Sequence, residues 1–309
     1  MESKKIPLIC VVGPTASGKT KLGIDLADKL NGEIVSCDSM QIYKGISIAS
    51  AAATKEEMRG IPHHLLEFLE LGEEFSVADY VNLAKQKITD IYRRNKQPIL
   101  VGGTGLYVNS LVDGITFAEE NEDKEVLSRL KKELEQYGAE HMLSRLAKID
   151  PENAQKLHPN NIRRILRALE VYYTTGKTFT EQNILSRQNG TPFDTVMIGV
   201  TYADREKLYD RINLRVDKML ENGLLQEAKT TLDLPSGIGA AQAIGHKELH
   251  KYLKGETPFE EAVEILKRET RRYAKRQLTW FRRREDINWV YADKEDTLQR
   301  ALEIIRKGR

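Results

Sequence analysis

The segment "GPTASGKT", residues 13–20, is the most informative part of the sequence for the fold. It satisfies the pattern G-x-x-x-x-G-K-[ST], follows the apolar run "PLICVVG" (7–13) and precedes the helical run "TKLGIDLADKL" (20–30). A strand before this pattern and a helix after it are the context of a phosphate-binding loop, whose backbone N–H groups surround the anion. In such a loop Lys19 reaches the terminal phosphate and the Thr20 hydroxyl ligates Mg²⁺. The loop recognises phosphate and not the molecule that carries it, so the substrate has to be inferred from the rest of the chain.

The order of apolar runs along the chain predicts the fold class. Short runs rich in Ile and Val alternate with longer helical patterns, which is typical of a parallel α/β sheet flanked by helices. The runs are "PLICVVG" (7–13), "EIVSCD" (33–38), "PILVGG" (98–103), "TVMIGVTY" (195–202) and "NWVYAD" (288–293). From 117 to 192 the strand signal is absent, and Glu, Lys and Leu recur at helical spacing. We therefore expect a P-loop-type parallel core built from residues 1–116 and 193–309, with an all-helical insertion at 117–192.

Composition narrows the class of protein. The chain has 48 basic and 46 acidic residues, so its overall charge of +2 does not indicate a nucleic-acid partner, and local clustering has to decide that question. Cys10 and Cys37 lie in apolar stretches without a CxxC partner, which predicts buried thiols in a reducing compartment. No apolar run reaches the roughly 18 residues of a membrane helix, and the N-terminal run has no cleavage site. We expect a cytoplasmic protein with no membrane partner.

The strand that would carry a hydrolytic carboxylate does not have one. ATPases and GTPases with this type of loop hold their metal with an acidic residue at the end of a second apolar strand. Here that strand continues as "PILVGGTG", with glycines and Thr104 in the position of the acid. Glu67 and Asp204 are the alternatives for that role. The pattern disfavours NTP hydrolysis.

Asp38 ends the apolar run "EIVSCD" and therefore lies at the carboxyl edge of the sheet, where open α/β sheets bind ligands. A carboxylate there can be a metal ligand, a ribose ligand or a general base, or it can cap the next turn. The residues that follow include Ser39, Met40, Gln41 and Tyr43, which combine apolar and hydrogen-bonding groups suited to a flat nucleobase. Asp38 is a candidate site residue whose role the pattern leaves open.

A set of motifs, taken together, resembles one known family. The motifs are "GPTASGKT" (13–20), "DSMQIYKG" (38–45), "IPHHL" (61–65), "FSVADY" (75–80), "VGGTGLYV" (101–108), "HPNNIRRILRALEVYYTTGK" (158–177) and "YAKRQLTWFRR" (273–283). Their order is similar to that of the tRNA dimethylallyltransferases, also called tRNA isopentenyltransferases. The resemblance implies transfer of a dimethylallyl group from dimethylallyl diphosphate to N6 of the adenine 3′ of the anticodon, in tRNAs that read codons starting with U. It implies that the loop holds the donor diphosphate, which explains why no hydrolytic acid is present.

The resemblance also assigns roles by matching position. Asp38 corresponds to the general base toward the adenine amino group, Thr104 to its partner in the catalytic pocket and Arg215 to a ligand of the diphosphate. The other diphosphate ligands are Gly13, Pro14, Thr15, Ala16, Ser17, Gly18, Lys19 and Thr20, the last of which is also the predicted ligand of the cofactor Mg²⁺. Arg211 and Lys218 share a helix face with Arg215, and for these two we favour a solvated role.

Positive charge is concentrated near the C-terminus. The segment 267–284 contains nine basic residues and one acidic residue, which predicts contact with RNA phosphates. Arginines of the insertion form a second cluster. The predicted tRNA contacts are Asp38, Ser39, Met40, Gln41, Arg163, Arg164, Arg167, Lys275, Arg276, Gln277, Trp280 and Arg282. We expect the core and the insertion to hold the anticodon stem-loop from two sides, with the target adenine extruded toward Asp38.

Two positions depart from the family pattern. The motif "GHKE" (245–248) has His246 where an aromatic residue is usual, and Leu127 stands where a basic residue is common. We expect both in segments that contact RNA, so they affect tRNA contacts and leave the chemistry unchanged. His63 and His64 have no third ligand at a metal-site spacing and are interpreted as structural. We expect a monomer.

Two other functions use the same residues. A small-molecule kinase would use the insertion as a lid and the helix around Arg215 as a phosphate clamp, and ATP turnover without a diphosphate donor would favour it. A nucleotide-gated RNA-binding protein without chemistry is the second alternative. A tight tRNA complex in which the RNA mass never changes would favour that function.

Overall fold

The computed structural model describes residues 5–117, 123–188, 190–235 and 239–308. The first four residues, which belong to the predicted first part of the core, lie outside the described residues. Within the described ranges, no helix is both long enough and apolar enough to cross a bilayer.

A parallel sheet of six strands forms the centre of the α/β core. The strands are β1 (Ile6–Val12), β2 (Gly32–Cys37), β3 (His63–His64), β4 (Gln97–Gly102), β5 (Phe193–Thr201) and β6 (Ile287–Tyr291). Their order across the sheet is β3-β2-β4-β1-β5-β6, and all neighbouring pairs are parallel. The sheet confirms the predicted fold class and each of the five predicted strands. The edge strand β3 has only two residues, which is too short to show any periodicity in the sequence.

Helices flank the sheet and form the rest of the regular structure. They are α1 (Lys19–Lys29), α2 (Ser47–Ser50), α3 (Lys55–Met58), α4 (Val77–Arg93), α5 (Gly105–Val112), α6 (Lys124–Ile149), α7 (Pro151–Ala154), α8 (Ile162–Thr175), α9 (Phe179–Ser186), α10 (Arg205–Glu221), α11 (Leu224–Lys229), α12 (His246–Leu253), α13 (Phe259–Phe281) and α14 (Thr297–Lys307). A short 3₁₀ helix spans Ala240–Gln242.

Helix α4 illustrates how local sequence sets these elements. The Ser76 hydroxyl accepts a hydrogen bond from the Asp79 N–H at 3.1 Å, and the Asp79 carboxylate accepts one from the Ser76 N–H at 3.0 Å. This capping box pairs two N–H groups that the helix cannot pair internally. Tyr80, Ala84 and Ile88 recur at helical spacing and are buried where α4 packs on β2 and β4.

The sheet register brings three strand ends to the same edge. Val12 at the end of β1 pairs with Gly102 of β4, and Gly102 pairs with Cys37 of β2. The segments that follow these residues therefore leave the sheet side by side. They are the phosphate-binding loop, the turn that begins at Asp38 and the β4–α5 loop that carries Thr104.

The contacts of the described residues divide the chain into two compact units. Unit 1 comprises Met1–Val112 and Pro192–Arg309, and unit 2 comprises Asp113–Thr191. The described part of unit 2 is helical and has its own core, in which Leu130 of α6 and Leu169 of α8 are fully buried. Because unit 2 buries its own apolar residues, it is built as a separate helical body.

Candidate active site

The phosphate-binding loop depends on glycine at two points. Gly13 and Gly18 have φ angles of 142° and 98°, which residues with a Cβ atom rarely adopt. A Cβ atom on Gly13 would lie 2.2 Å from the Val200 carbonyl oxygen, so the loop packs directly on the end of β5. Arg211 Nε donates to the carbonyl oxygen of Ala16 at 3.2 Å. Arg211 is exposed, as the solvated role predicts, and this hydrogen bond holds its side chain beside the loop.

Lys19 occupies the first position of α1, and its Nζ donates to the Pro14 carbonyl oxygen at 2.6 Å. Burial lowers the pKa of Lys19 to about 7, and the nearby Arg215 cation lowers it as well. The Asp38 carboxylate acts in the opposite direction. An anion bound beside Lys19 would favour the charged ammonium, because opposite charges at close range stabilise each other.

The two hydroxyl groups of the loop have different surroundings. Ser17 Oγ is buried and has no hydrogen-bond partner within the described part of the chain. The Thr20 side chain is exposed in the first turn of α1. Buried polar atoms are almost always paired, so the Ser17 hydroxyl is a group that a ligand oxygen would satisfy.

A cavity of about 310 Å³ lies beside the loop, and unit 1 supplies its walls. The predicted site residues that line it are Thr15, Lys19, Thr20, Asp38, Ser39, Met40, Gln41, Arg215, Arg276 and Gln277. An apolar wall consists of Val216, Met219, Ile244 and Leu266. Among the described lining residues, Asp38 supplies the carboxylate. The fold therefore places one carboxylate, four basic side chains (Lys19, Arg215, Lys247 and Arg276) and the loop around a space with an apolar wall.

Asp38 makes a local hydrogen bond and also faces this cavity. Its Oδ1 accepts from the Met40 N–H at 2.9 Å, which forms a turn directly after β2. The described residues provide no second hydrogen bond to this carboxylate, and the side chain is half-buried. The turn leaves one oxygen of Asp38 able to accept a proton or ligate a cation.

Thr104 supports Asp38 and does not line the cavity. Its Oγ1 accepts a hydrogen bond from the Ser39 N–H at 3.0 Å and lies 3.3 Å from Ser39 Oγ. Its own N–H donates to the Cys37 carbonyl oxygen at 3.2 Å. Thr104 thus holds the residues on both sides of Asp38.

Arg215 projects from α10 into the cavity. Burial lowers the pKa of its guanidinium, while Asp38 and Glu57 act to raise it. Arg215 is therefore a desolvated cation opposite a carboxylate, which is a favourable position for an anionic ligand. Lys218 is exposed and lies outside the cavity lining, as the solvated role predicts.

The basic residues of α13 and the turn after it fall into two groups. Several are compensated by acidic partners, namely Lys267 by Asp217 at 2.8 Å, Arg272 by Glu269 at 2.7 Å and Arg284 by Asp286 at 2.6 Å. Lys275, Arg276 and Arg282 are exposed and make no ion pair with any described residue. Arg283 is likewise exposed and makes no ion pair with a described residue, so the charge available to RNA is smaller than the sequence count suggests and lies around these four side chains.

Gln277 and Trp280 do not have the exposure expected of tRNA contacts. Gln277 is 6% exposed, and both ends of its amide bond to backbone groups. Trp280 is half-buried, and its Nε1 is buried without a partner among the described residues. A Cβ atom on Gly105 would lie 2.2 Å from Trp280 Cδ1, so the indole packs on the start of α5. The amide of Gln277 is occupied inside the protein, which corrects its predicted role.

Tyr273 and Lys247 are two of the cavity residues that the sequence prediction does not include. Tyr273 precedes Gln277 by one helical turn, so helical periodicity along α13 places it on the same face. That spacing is a signal that sequence reasoning could have used. Lys247 is the second residue of α12, and no local pattern in the sequence indicates that its side chain faces a cavity.

The arginines predicted to bind tRNA in unit 2 lie on α8. Arg163 and Arg164 are exposed in its first turn. Arg167 is half-buried and pairs with Glu170 at 3.0 Å. Arg163 and Arg164 have the exposure that contact with a phosphate backbone requires.

His246 is buried, which corrects its expected position in an RNA-contacting segment. Its Nε2 lies 3.0 Å from Glu227 Oε1 and its Nδ1 lies 2.9 Å from Thr231 Oγ1. Glu227 also accepts from the Ile48 and Ala49 N–H groups at 2.8 Å, so this network anchors α2. The presence of His246 in place of the family's usual aromatic residue therefore affects packing beside the cavity.

His64 pairs with Glu33, whereas His63 lines the cavity and its buried Nε2 has no partner among the described residues. His63 Nδ1 bonds the Ile61 carbonyl oxygen at 2.8 Å, and His64 Nε2 lies 2.7 Å from Glu33. Leu127 is half-buried on α6. Its effect on tRNA binding stays a prediction.

Neither alternative acid stands in the position of a hydrolytic carboxylate. Glu67 is exposed, and Asp204 caps α10 by accepting from the Glu206 N–H at 2.9 Å. The described residues contain no cluster of three His, Cys, Asp or Glu side chains able to hold a metal. Thr20 and Asp38 nevertheless bring a hydroxyl and a carboxylate to one cavity, and such hard oxygen donors suit a divalent cation that also binds phosphate oxygens.

Comparison with known proteins gives a consistent result along the chain. A family model described as IPP transferase matches residues 41–284. The chain is 48% identical over 303 residues to the tRNA dimethylallyltransferase of Caldanaerobacter subterraneus, covering 97% of this chain and 96% of that one. It is 44% identical to the solved tRNA isopentenylpyrophosphate transferase of Bacillus halodurans, with a TM-score of 0.71 and coverage of 98% and 97%. A solved eukaryotic dimethylallyltransferase acting on tRNA is 34% identical, with a TM-score of 0.84 and coverage of 97% and 79%.

Proposed function

The chain belongs to the IPP transferase family, and from this premise we propose that it is a tRNA dimethylallyltransferase. It transfers a dimethylallyl group from dimethylallyl diphosphate to N6 of the adenine 3′-adjacent to the anticodon, in tRNAs that read codons starting with U, and releases diphosphate. The observation that carries this proposal is the shared cavity of Asp38, Lys19 and Arg215 with an apolar wall. A base, two anion ligands and a space for hydrocarbon are what prenyl transfer to an amine requires.

The chemistry forms a bond between N6 and C1 of the donor and breaks the bond between C1 and the diphosphate oxygen. The departing diphosphate takes the bonding electron pair, and its negative charge is stabilised by the loop N–H groups, Lys19 and Arg215. The adenine amine is weakly nucleophilic, so Asp38 accepts the N6 proton as the new bond forms. Orientation of the two substrates in the cavity supplies a further part of the rate.

The cofactor in this proposal is Mg²⁺, in keeping with the divalent metal that prenyl transfer from a diphosphate generally uses. The Thr20 hydroxyl would hold it together with diphosphate oxygens, because Mg²⁺ prefers hard oxygen ligands. When bound, Mg²⁺ supplies positive charge to the diphosphate. Lys19 and Arg215 provide the charge that the chain itself contributes.

The hydrocarbon of the donor and the phosphates of the tRNA are assigned to different surfaces of the protein. We assign the hydrocarbon of the donor to the wall of Val216, Met219, Ile244 and Leu266, which support this role because they are apolar and line the cavity. We assign tRNA phosphates to Lys275, Arg276 and Arg282, and also to Arg163 and Arg164 of unit 2. A single chain supplies all the residues assigned to the reaction, so the monomer is the proposed active unit.

Mass spectrometry of the RNA product tests the function. The protein is incubated with dimethylallyl diphosphate, Mg²⁺ and unmodified tRNA, and one added C5H8 unit per RNA is expected. The same tRNA with guanine at the target position is the matched control and should stay unmodified. ATP turnover abolished by Lys19→Ala in the absence of a prenyl donor would instead establish a kinase. A tight tRNA complex with unchanged RNA mass would establish a binding protein.

A further inference from the structure

Gln277 connects two loops that the chain separates widely. Its Oε1 accepts a hydrogen bond from the Thr15 N–H at 2.8 Å, and its Nε2 donates to the Gly103 carbonyl oxygen at 2.9 Å. Thr15 belongs to the phosphate-binding loop and Gly103 to the β4–α5 loop. One side-chain amide therefore spans the two loops, with a donor and an acceptor matched to one backbone group on each.

The bridge continues to the general base. Thr104 follows Gly103 directly, and its Oγ1 accepts from the Ser39 N–H at 3.0 Å, beside Asp38. An uninterrupted series of hydrogen bonds and short backbone links thus runs from the diphosphate loop to the residue assigned to proton removal. In the proposed function, one end of this series is the loop that binds the donor diphosphate, and the other end is the base that receives the N6 proton.

The Gln277 amide is enclosed by protein, and the Tyr273 side chain is a polar group beside it. The residue is 6% exposed, so water does not replace a broken hydrogen bond at low cost. A Cβ atom on Gly103 would lie 2.3 Å from Gln277 Nε2, so the absence of a side chain at Gly103 is what lets the amide approach the backbone. The bond also withdraws the Thr15 N–H from the set of loop amides that face the anion.

We propose that Gln277 is a positioning residue that fixes the distance between the donor diphosphate and the general base Asp38. This inference rests on the proposed function and replaces the tRNA contact expected for Gln277 from the sequence. In-line transfer requires N6, C1 and the leaving oxygen to be aligned, and a displacement of about 1 Å costs on the order of 10²-fold in rate. Gln277 also lines the cavity, but the role proposed for its amide is exerted through the two loops that it bonds.

The substitution Gln277→Met keeps a similar volume and removes both hydrogen bonds. We expect the single-turnover rate, at saturating tRNA and donor, to fall by roughly 10²-fold with unchanged tRNA affinity. Gln277→Glu keeps an acceptor for the Thr15 N–H and removes the donor to Gly103, so its rate should fall as well. Gln299→Met, at an exposed position of α14, is the matched control and should behave as the parent.

Hydrogen exchange of the substrate-free protein provides a readout that does not depend on activity. In Gln277→Met the peptides covering residues 13–18 and 103–105 should both exchange about tenfold faster, while the rest of the sheet is unchanged. Faster exchange in only one loop would overturn the bridge. A normal single-turnover rate, or a weaker tRNA complex whose rate recovers at high tRNA concentration, would overturn the positioning role. If the parent protein itself adds no C5H8 unit, the proposed function fails instead, and the exchange result still decides whether the bridge exists.

Discussion

At the scale of single residues, Asp38 combines a turn-forming contact with a position in the cavity. Its Oδ1 accepts from the Met40 N–H at 2.9 Å, and this contact needs an oxygen acceptor but no charge. Asparagine can make the same turn, since its side chain also carries an oxygen acceptor of the same length. One substitution therefore separates the structural contribution from the proposed role as a base.

We expect Asp38→Asn to lower the single-turnover rate of prenyl transfer by roughly 10²- to 10⁴-fold, the usual contribution of a general base. The tRNA affinity, measured separately by filter binding, should stay close to that of the parent. Raising the Mg²⁺ concentration should not restore the rate, because a missing proton acceptor is not replaced by metal. Near-normal turnover would remove Asp38 from the mechanism, and recovery at high Mg²⁺ would assign it to the metal.

Lys19 predicts a specific pH dependence of donor binding. Its pKa is lowered to about 7, so the free protein loses the ammonium charge as the pH rises through that value. The affinity for dimethylallyl diphosphate in the absence of tRNA should therefore decrease between about pH 6.5 and about pH 8.5, as measured by calorimetry. Lys19→Ala should bind more weakly and lack this decrease. A parent protein whose donor affinity is constant over the same range would contradict the assignment.

At the scale of elements, α13 carries two functions on different faces. Its inner face contributes Leu266, Tyr273 and Gln277 to the cavity. Its outer face leaves Lys275 exposed. Arg276 is exposed and also lines the cavity, 5.7 Å from the centre of the Tyr273 ring. Tyr273, Arg276 and Gln277 are close in sequence, so the helix joins the proposed RNA surface to the reaction site over less than two turns.

Neutralising Lys275 and Arg276 to glutamine should weaken tRNA binding across sequences and reduce its salt dependence. In a plot of log affinity against log salt, the slope should become shallower by about 1 unit for each phosphate that the variant no longer neutralises. Arg272→Gln, on the same helix, is the control, because Arg272 is already paired with Glu269 at 2.7 Å and should change the slope less. An unchanged slope in the double variant would place the RNA elsewhere.

At the scale of the whole molecule, the amino-terminal side of the sheet is held by an ion cluster around Glu33. The carboxylate is 2% exposed and accepts from Arg94 at 2.6 Å and 2.7 Å, with His64 Nε2 at 2.7 Å and Lys96 at 3.2 Å. These partners lie on β3, at the end of α4 and just before β4. The cluster therefore ties β2 to its neighbours at the edge opposite the cavity.

This cluster makes the free energy of unfolding depend on pH in the acidic range. The hydrogen bonds from Arg94 are the main cause that lowers the pKa of Glu33 from 4.5 to about 2. Since the folded pKa is below the unfolded one, the stabilisation is present above about pH 4.5 and is lost as the pH falls toward about 2. Thermal unfolding should show Glu33→Gln less stable than the parent near neutral pH, with the difference shrinking in acid. A constant difference over this range would show that the charge of Glu33 is not responsible.

The parallel α/β core, the phosphate-binding loop and the position of Asp38 at a strand end could all be predicted from the amino-acid sequence. These features depend on local spacing, namely apolar runs of strand length and glycines at fixed positions, and such patterns do not need distant contacts to be read. The motif order also identified the family. Helix and strand identity, together with most of the candidate catalytic residues, were therefore available before any coordinates.

Which polar groups already have a hydrogen-bond or ion-pair partner depends on tertiary contacts. Gln277 is 262 residues from Thr15 and 174 from Gly103, and no local pattern in the sequence indicates that its amide pairs with both. The same holds for His246, whose burial depends on Glu227, and for Lys267, whose charge is compensated by Asp217 on α10. A hydrogen bond or ion pair forms between groups that are close in space. Packing, and not composition, therefore determines which charged groups and amides of this protein remain without a partner.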